Sequence, residues 1–293
     1  MGLVAVGGTL EYFSLREMIF KATKPATARF DRLMVAVVLM TCFFAVMSEL
    51  QEESQSFKSA RVWVLAMKVT QFIIAPLCTL ILPLVSCNLD LDPTAQDDTA
   101  PAARAKSIDP HILIPYVTRW LSDWGFINLV ASTLTGMVRI RKSVDPHGAA
   151  IGISKMVFVI MTPWVGDAGA LLIGGKLGRC RVIPAISPNK TLEGYCGLVV
   201  FALLSTFGMR YIGWWLYPQH QFNLFQRTAN PLFLAVVSVI SAFASAVGDL
   251  IESTLKRIAG VKDTSNLFGP HGGILDKVDS IMILTVCLSH LIA

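Results

Sequence analysis

Residues Pro231–Ile251 read PLFLAVVSVISAFASAVGDLI, and residues Glu252–Asp279 continue as ESTLKRIAGVKDTSNLFGPHGGILDKVD. The first stretch is a membrane-grade apolar run that acquires Asp249 near its end. The second packs Lys256, Arg257, Lys262, Asp263, His271, Asp276 and Asp279 into one short segment, after which apolar residues resume. Ionisable groups next to membrane spans are costly and usually face a cavity or a partner. Cations, carboxylates and a Gly-Pro-His-Gly-Gly turn together point to phosphate and metal chemistry at a membrane surface.

Asp249, Glu252, Ser253 and Lys256 stand at i, i+3, i+4 and i+7, so a helix places them on one face. A helix cap with an internal ion pair is the plainer reading, but Asp249 lies too deep in the apolar run for a solvated cap. Gly272 and Gly273 let backbone N–H groups approach an anion closely. His271, held between Pro270 and Gly272, reads as a phosphate or nucleotide contact. Asp276 and Asp279 are three apart and share a face of the next helix. Asp249 and Asp276 flank one loop, which can bring them together as oxygen ligands of a hard divalent cation such as magnesium.

The rest of the chain fits a membrane setting. Of its 293 residues, 54% are hydrophobic and 15% charged, where soluble domains carry about 25% charged residues. Mean hydropathy is +0.59. Apolar runs cover about 33–48, 62–87, 120–138, 148–175, 194–216, 231–251 and 278–293, the last short for a span of about 20 residues. The expected fold is all-α, a polytopic integral membrane bundle with a cytoplasm-facing polar cavity. Two parts are expected: N-terminal membrane helices over 1–147, with a polar aqueous loop at about 88–110, and a C-terminal catalytic domain over 148–293. A metal pair at Asp97 and Asp98 is disfavoured against a solvated acidic loop. Six cysteines without a CxxC spacing read as small buried hydrophobes. Glu11 and Glu17 break any secretory signal, and Arg16–Arg32 reads as an amphipathic surface segment or the remnant of a targeting region.

A second constellation lies upstream: Asp167, the glycines of Gly174–Gly178, and Ser187-Pro-Asn-Lys-Thr-Leu-Glu-Gly194. The glycine cluster favours tight helix packing over a phosphate cradle. Pro188 fixes a turn that sets Lys190 and Thr191 at the start of a helix, with Glu193 in its first turn. The basic loops Lys176–Lys190 and Lys256–Lys277 are separated by two spans, so they share a side, the cytoplasmic one by the positive-inside rule. Arg139–Lys142 suggests the same side. The run 148–175 then needs an even number of crossings, and a broken or re-entrant path around Pro163 is expected.

Ser253–Asp279 resembles the C-terminal signature of the phosphatidate cytidylyltransferase (CDP-diacylglycerol synthase) family: Ser-x-apolar-Lys-Arg, four residues, Lys-Asp, then His-Gly-Gly-apolar-x-Asp-Arg-apolar-Asp. Lys277 departs from the usual arginine, which keeps charge but loses a bidentate fork. Ser187–Gly194 is similar to the family's Ser-Pro-Lys-Lys-Thr-Trp-Glu-Gly element, with Asn189 and Leu192 substituted. The likeness covers about Trp164–Asp279. It implies a nucleotidyltransferase of phospholipid biosynthesis, joining CTP and phosphatidic acid into CDP-diacylglycerol with release of pyrophosphate. It implies magnesium on Asp249 and Asp276, with a second cation and a homodimer left open. Asp249, Asp276, Lys256, Arg257 and Lys262 are the candidate catalytic residues. Ser187, Lys190, Thr191, Glu193, Glu252, Ser253, Asp263, His271, Gly272, Gly273, Asp279 and Asp167 are the candidate substrate-binding residues. The partners are CTP, phosphatidic acid and the lipid bilayer, with no nucleic acid. Two alternatives remain: a CTP-dependent polyprenol or phytol-type lipid kinase, and a cation-coupled transporter using Asp167 and Asp249.

Overall fold

A computed structural model describes residues 2–20, 40–43, 45–47, 110–144, 151–216, 230–269 and 272–292. Six helices are named here: α1 Gly2–Ile19, α2 Pro110–Lys142, α3 Gly152–Leu177, α4 Leu192–Leu216, α5 Pro231–Ile258 and α6 Leu275–Leu288. Among the described residues there is no strand; an isolated bridge joins Arg181 and Thr191. Helices α3 and α5, and α4 over Leu192–Gly213, are long and apolar enough to cross a membrane. The chain is therefore a polytopic helical membrane protein. The expected 62–87 run, the 88–109 loop and His271 lie outside the described residues.

The chain divides into two compact units, Met1–Leu15 with Leu129–Ala293, and Arg16–Asn128. In the second, the Arg16 guanidinium and the Asp123 carboxylate meet at 2.8 Å, both side chains almost fully buried. Trp120 and Trp124 stack with centroids 6.3 Å apart. The first unit holds the motifs quoted above and the bundle α3–α6.

Local chemistry explains where the bundle helices start and stop. Asn230 caps α5 by accepting from the Leu232 amide at 2.9 Å, and Pro231 needs no N–H partner in the first turn. Gly260, at φ +73°, ends α5 in the left-handed conformation, with the Val261 amide reaching back to the Lys256 carbonyl. Thr191 starts α4 by accepting from the Gly194 amide at 3.1 Å. The core of the unit joins α2, α3, α5 and α6 through Ile140, Phe158, Leu234, Val237, Leu284 and Leu288. Leu198, Ala202, Ala242 and Ala246 close α4 on α5.

The glycines of α3 and α4 serve packing. A Cβ on Gly169 would lie 2.3 Å from Phe201, and one on Gly197 would lie 2.6 Å from the Gly169 carbonyl oxygen. Gly174 and Gly194 face each other, a Cβ on Gly174 falling 3.2 Å from the Gly194 Cα. Small residues let membrane helices approach this closely.

Three expectations are corrected. α3 is one continuous helix through Pro163, not a broken or re-entrant segment. Proline is tolerated there because a membrane bundle supports a helix that lacks one backbone bond. The Ile151 amide donates to the Ser143 carbonyl, so Arg139–Lys142 sits at the start of α3, the opposite end from Lys176. A single continuous helix between Arg139–Lys142 and Lys176 does not allow the two clusters to share a side, as the charge count had expected. Of the described cysteines only Cys42 is buried; Cys180, Cys196 and Cys287 are exposed on the bundle surface, and none is in a disulfide.

Candidate active site

The end of α3, the start of α4, the end of α5 and the start of α6 meet at one end of the bundle. The sequence folds this way because the loop before α4 is tied on both flanks. Val182 donates to the Lys190 carbonyl, Leu192 donates to the Cys180 carbonyl at 2.8 Å, and the Lys190 amide closes a turn onto the Ser187 carbonyl. Glu193 accepts from the Arg179 and Cys180 amides, at 3.1 and 3.2 Å, so its carboxylate staples the loop. Arg257 reaches across from α5 and donates from Nε to the Ile186 carbonyl at 3.0 Å. Its guanidinium thereby orients the Ser187–Lys190 turn.

This scaffolding delivers Lys190 to α5, where its ammonium pairs with Asp249 Oδ2. Ser253 donates to Asp249 Oδ1 at 3.2 Å. One turn further, the Lys256 ammonium lies 2.5 Å from Glu252 Oε2 and 2.6 Å from Asp276 Oδ1. The face expected from i, i+3, i+4, i+7 spacing is thus present, and it carries three lysine–carboxylate pairs made by two lysines. Asp167 on α3 lies within electrostatic reach of Asp249 and Lys190. Asp279 lies within reach of Asp249, Lys256 and Asp167.

The structure groups the acids differently from the sequence pairing. Ligand oxygens of Asp249, Glu252 and Asp279 all lie within 4.8 Å of one another. Asp276 instead uses Oδ1 for Lys256 and Oδ2 for the Thr264 amide, the Thr264 hydroxyl and the Gly273 amide, at 3.0, 2.7 and 2.8 Å. Burial works to raise its carboxyl, but the neighbouring Glu252 and hydrogen bonds from Lys256, Thr264 and Gly273 outweigh that and hold it well below the usual carboxylate range. Gly272, at φ +79°, and Gly273 allow this close approach: a Cβ on Gly272 would fall 2.6 Å from Asp276 Oδ2. The anion these glycines meet in the structure is a carboxylate of the chain itself.

Helices α5 and α6 touch where the acids converge. A Cβ on Gly248 would lie 2.6 Å from the Asp279 carbonyl oxygen. That contact brings Asp279 level with Asp249. Lys262 and Asp263 are exposed and bond no described residue, and Lys277 is exposed. One residue of the site escaped the sequence reading. Glu11, from α1, is buried and accepts from Thr264, Ser265, Ile274 and Leu275. Its only sequence signal is that it is the one charged residue in Gly2–Leu15 of α1.

The donor set suits a hard cation. It is all oxygen, as magnesium and calcium require. Among the described residues, five carboxylates, Asp167, Asp249, Glu252, Asp276 and Asp279, surround two ammonium groups, those of Lys190 and Lys256. Glu252 is 4% exposed, and its Oε1 has no hydrogen-bond partner among the described residues. A buried carboxylate oxygen left unpartnered is costly, and an ion beside it removes that cost.

The family model described as "Cytidylyltransferase family" matches residues 1–293. The chain belongs to this family. Among its relatives, a phosphatidate cytidylyltransferase from Haemophilus influenzae is 32% identical over 148 residues, covering 50% of this chain and 49% of that protein. One from Bacillus subtilis is 35% identical over 176 residues, 58% of each chain. One from Staphylococcus haemolyticus is 34% identical over 141 residues, 48% of this chain and 50% of the relative. The chain spans about half the length of the curated relatives it matches. The match places the α3–α6 constellation in the cytidylyltransferase family.

Proposed function

We propose that this protein transfers the cytidylyl group of CTP to phosphatidic acid, giving CDP-diacylglycerol and pyrophosphate. The observation that carries the reading is the convergence of Lys190, Lys256 and five carboxylates at one end of three membrane-length helices, in a chain of the cytidylyltransferase family. A lipid phosphate oxygen forms a bond to the α-phosphorus of CTP, and the bond from that phosphorus to the β-phosphate bridge oxygen breaks. Both reactants are anions, so the protein must screen their repulsion and hold them in line. Lys190 and Lys256 are the cations best placed for this. Each is now paired with a carboxylate that an incoming phosphate would displace. Lys262, exposed beside the loop, extends the cationic rim, and Arg257 holds the Ser187–Lys190 turn from which Lys190 projects.

A bound magnesium ion would supply charge neutralisation on the triphosphate. Asp249, Glu252 and Asp279 would hold it, with Asp276 the further carboxylate one turn from Asp279. Asp167 would adjust the charge around Asp249 and Lys190. The acyl chains stay in the bilayer against α3–α5 while the headgroup enters the polar end. That end carries the basic loops 176–190 and 256–277, which supports a cytoplasmic or equivalent organellar face by the positive-inside rule.

The test is incubation of purified protein with cytidine-labelled CTP, phosphatidic acid and magnesium. Label in the lipid extract with pyrophosphate in the aqueous phase is the expected result. Unlabelled lipid and CDP as product would identify a lipid kinase and overturn the reading.

A further inference from the structure

Glu11 lies in the middle of α1, between Leu10 and Tyr12, and is 8% exposed. A carboxylate buried to that degree is expensive unless its lone pairs are filled. Here they are. Oε1 accepts from the Ser265 hydroxyl at 2.7 Å and the Ile274 amide at 2.9 Å. Oε2 accepts from the Leu275 amide at 2.7 Å and the Thr264 hydroxyl at 3.0 Å.

These four donors surround the start of α6. The helix has no cap of its own, since Ile274 at the N-cap position supplies no side-chain hydrogen bond. Glu11 provides both what a cap provides and the negative charge a helix N-terminus favours. The first turn of α6 carries Asp276, and Asp279 follows one turn on. The Thr264 hydroxyl is within hydrogen-bond distance of both Glu11 Oε2 and Asp276 Oδ2, and with one hydrogen it serves one of them at a time. A Cβ on Gly273 would fall 2.4 Å from Glu11 Oε1 and 2.4 Å from Thr264 Oγ1. The second glycine of the His-Gly-Gly motif is therefore matched to a glutamate near the other end of the chain.

We infer that Glu11 is a positioning residue for the cation site: by capping α6 it sets the register that keeps Asp279 within ligand distance of Asp249 and Glu252. This rests on the proposed metal-assisted transfer, but the binding measurement below separates the two. The mutation of a group that orients metal ligands costs about 10–100-fold in metal affinity. Glu11→Gln keeps the size of the side chain but turns an amide toward the donors.

The experiment titrates Mn²⁺ into detergent-solubilised full-length protein, read by electron paramagnetic resonance, alongside the Mg²⁺ dependence of cytidylyl transfer. Glu11→Gln is expected to weaken Mn²⁺ binding by about tenfold or more and to raise the half-maximal Mg²⁺ concentration equally. Turnover at saturating Mg²⁺ recovers to within a few fold, and Glu11→Asp is intermediate. A purely structural role lowers the melting temperature and leaves Mn²⁺ affinity at the wild-type value, which overturns the inference. If Glu11→Gln does not yield folded protein, Glu11→Asp, which keeps the charge, carries the same measurement. Wild-type protein that binds Mn²⁺ but makes no CDP-lipid would remove the transferase reading, with the Glu11 comparison still decisive for the inference.

Discussion

The two ends of the α3–α6 bundle both bury positive charge, against different partners. At the site end, Lys190 meets Asp249, and Lys256 bridges Glu252 and Asp276. At the other end, Lys155 is 7% exposed and donates to the Ile292 carbonyl, while Arg139 meets His290 Nδ1 at 3.1 Å. A carbonyl satisfies an ammonium without adding a net negative charge. That end ties helices together, and among the described residues it holds no cluster of acids that could bind a metal. At the site end, among the described residues, carboxylates outnumber ammonium groups, so in the proposed transfer a phosphate that takes the lysines would leave acids for a cation. Buried charge in one bundle thus serves either closure or chemistry, and the partner type distinguishes them.

Substitutions can break this contrast. Asp249→Asn or Asp276→Asn is expected to lower cytidylyl transfer by about 10²–10³-fold or more while the protein still inserts and folds. Near-wild-type turnover at saturating magnesium, in labelled-CTP assays, would remove these acids from the reaction. Gly248→Ala forces α5 and α6 apart beside Asp279, and overpacking of this kind costs about 1–3 kcal/mol. Activity should fall by more than the melting temperature alone explains, because the displaced atoms belong to the site. Lys155→Met probes the opposite end. Losing a charged hydrogen bond costs about 1.5–3 kcal/mol, so the melting temperature drops while turnover stays near wild type. A large loss of turnover there would erase the distinction between the ends. The smallest effect is expected for Lys277→Arg, whose exposed position predicts activity within about twofold of wild type by the same assay.

The helical periodicity of Asp249, Glu252, Ser253 and Lys256 was legible because neighbours on one helix face are fixed by the 3.6-residue turn alone. The turn at Pro188 and the position of Lys190 were legible for the same local reason. Three features were not. The continuity of α3 through Pro163 depends on neighbouring helices, and the side assigned to Arg139–Lys142 misled the crossing count. The glycines of Gly272–Gly273 read as an anion cradle, and the anions they approach are Asp276 and Glu11. Asp279, expected only among the substrate contacts, joins Asp249 and Glu252, whereas Asp276 is occupied by Lys256 and Thr264.

Sequence alone determined the membrane setting, the shared face on α5 and the acid-and-lysine chemistry, since each follows from composition or from short-range backbone geometry. Only the tertiary structure decided which carboxylates share a cation-sized space and that Glu11 holds the start of α6. Ile274 and Glu11 are 263 residues apart in the chain. Hydrogen bonds across such a separation have no periodicity to betray them; they exist only once packing brings the two helices together.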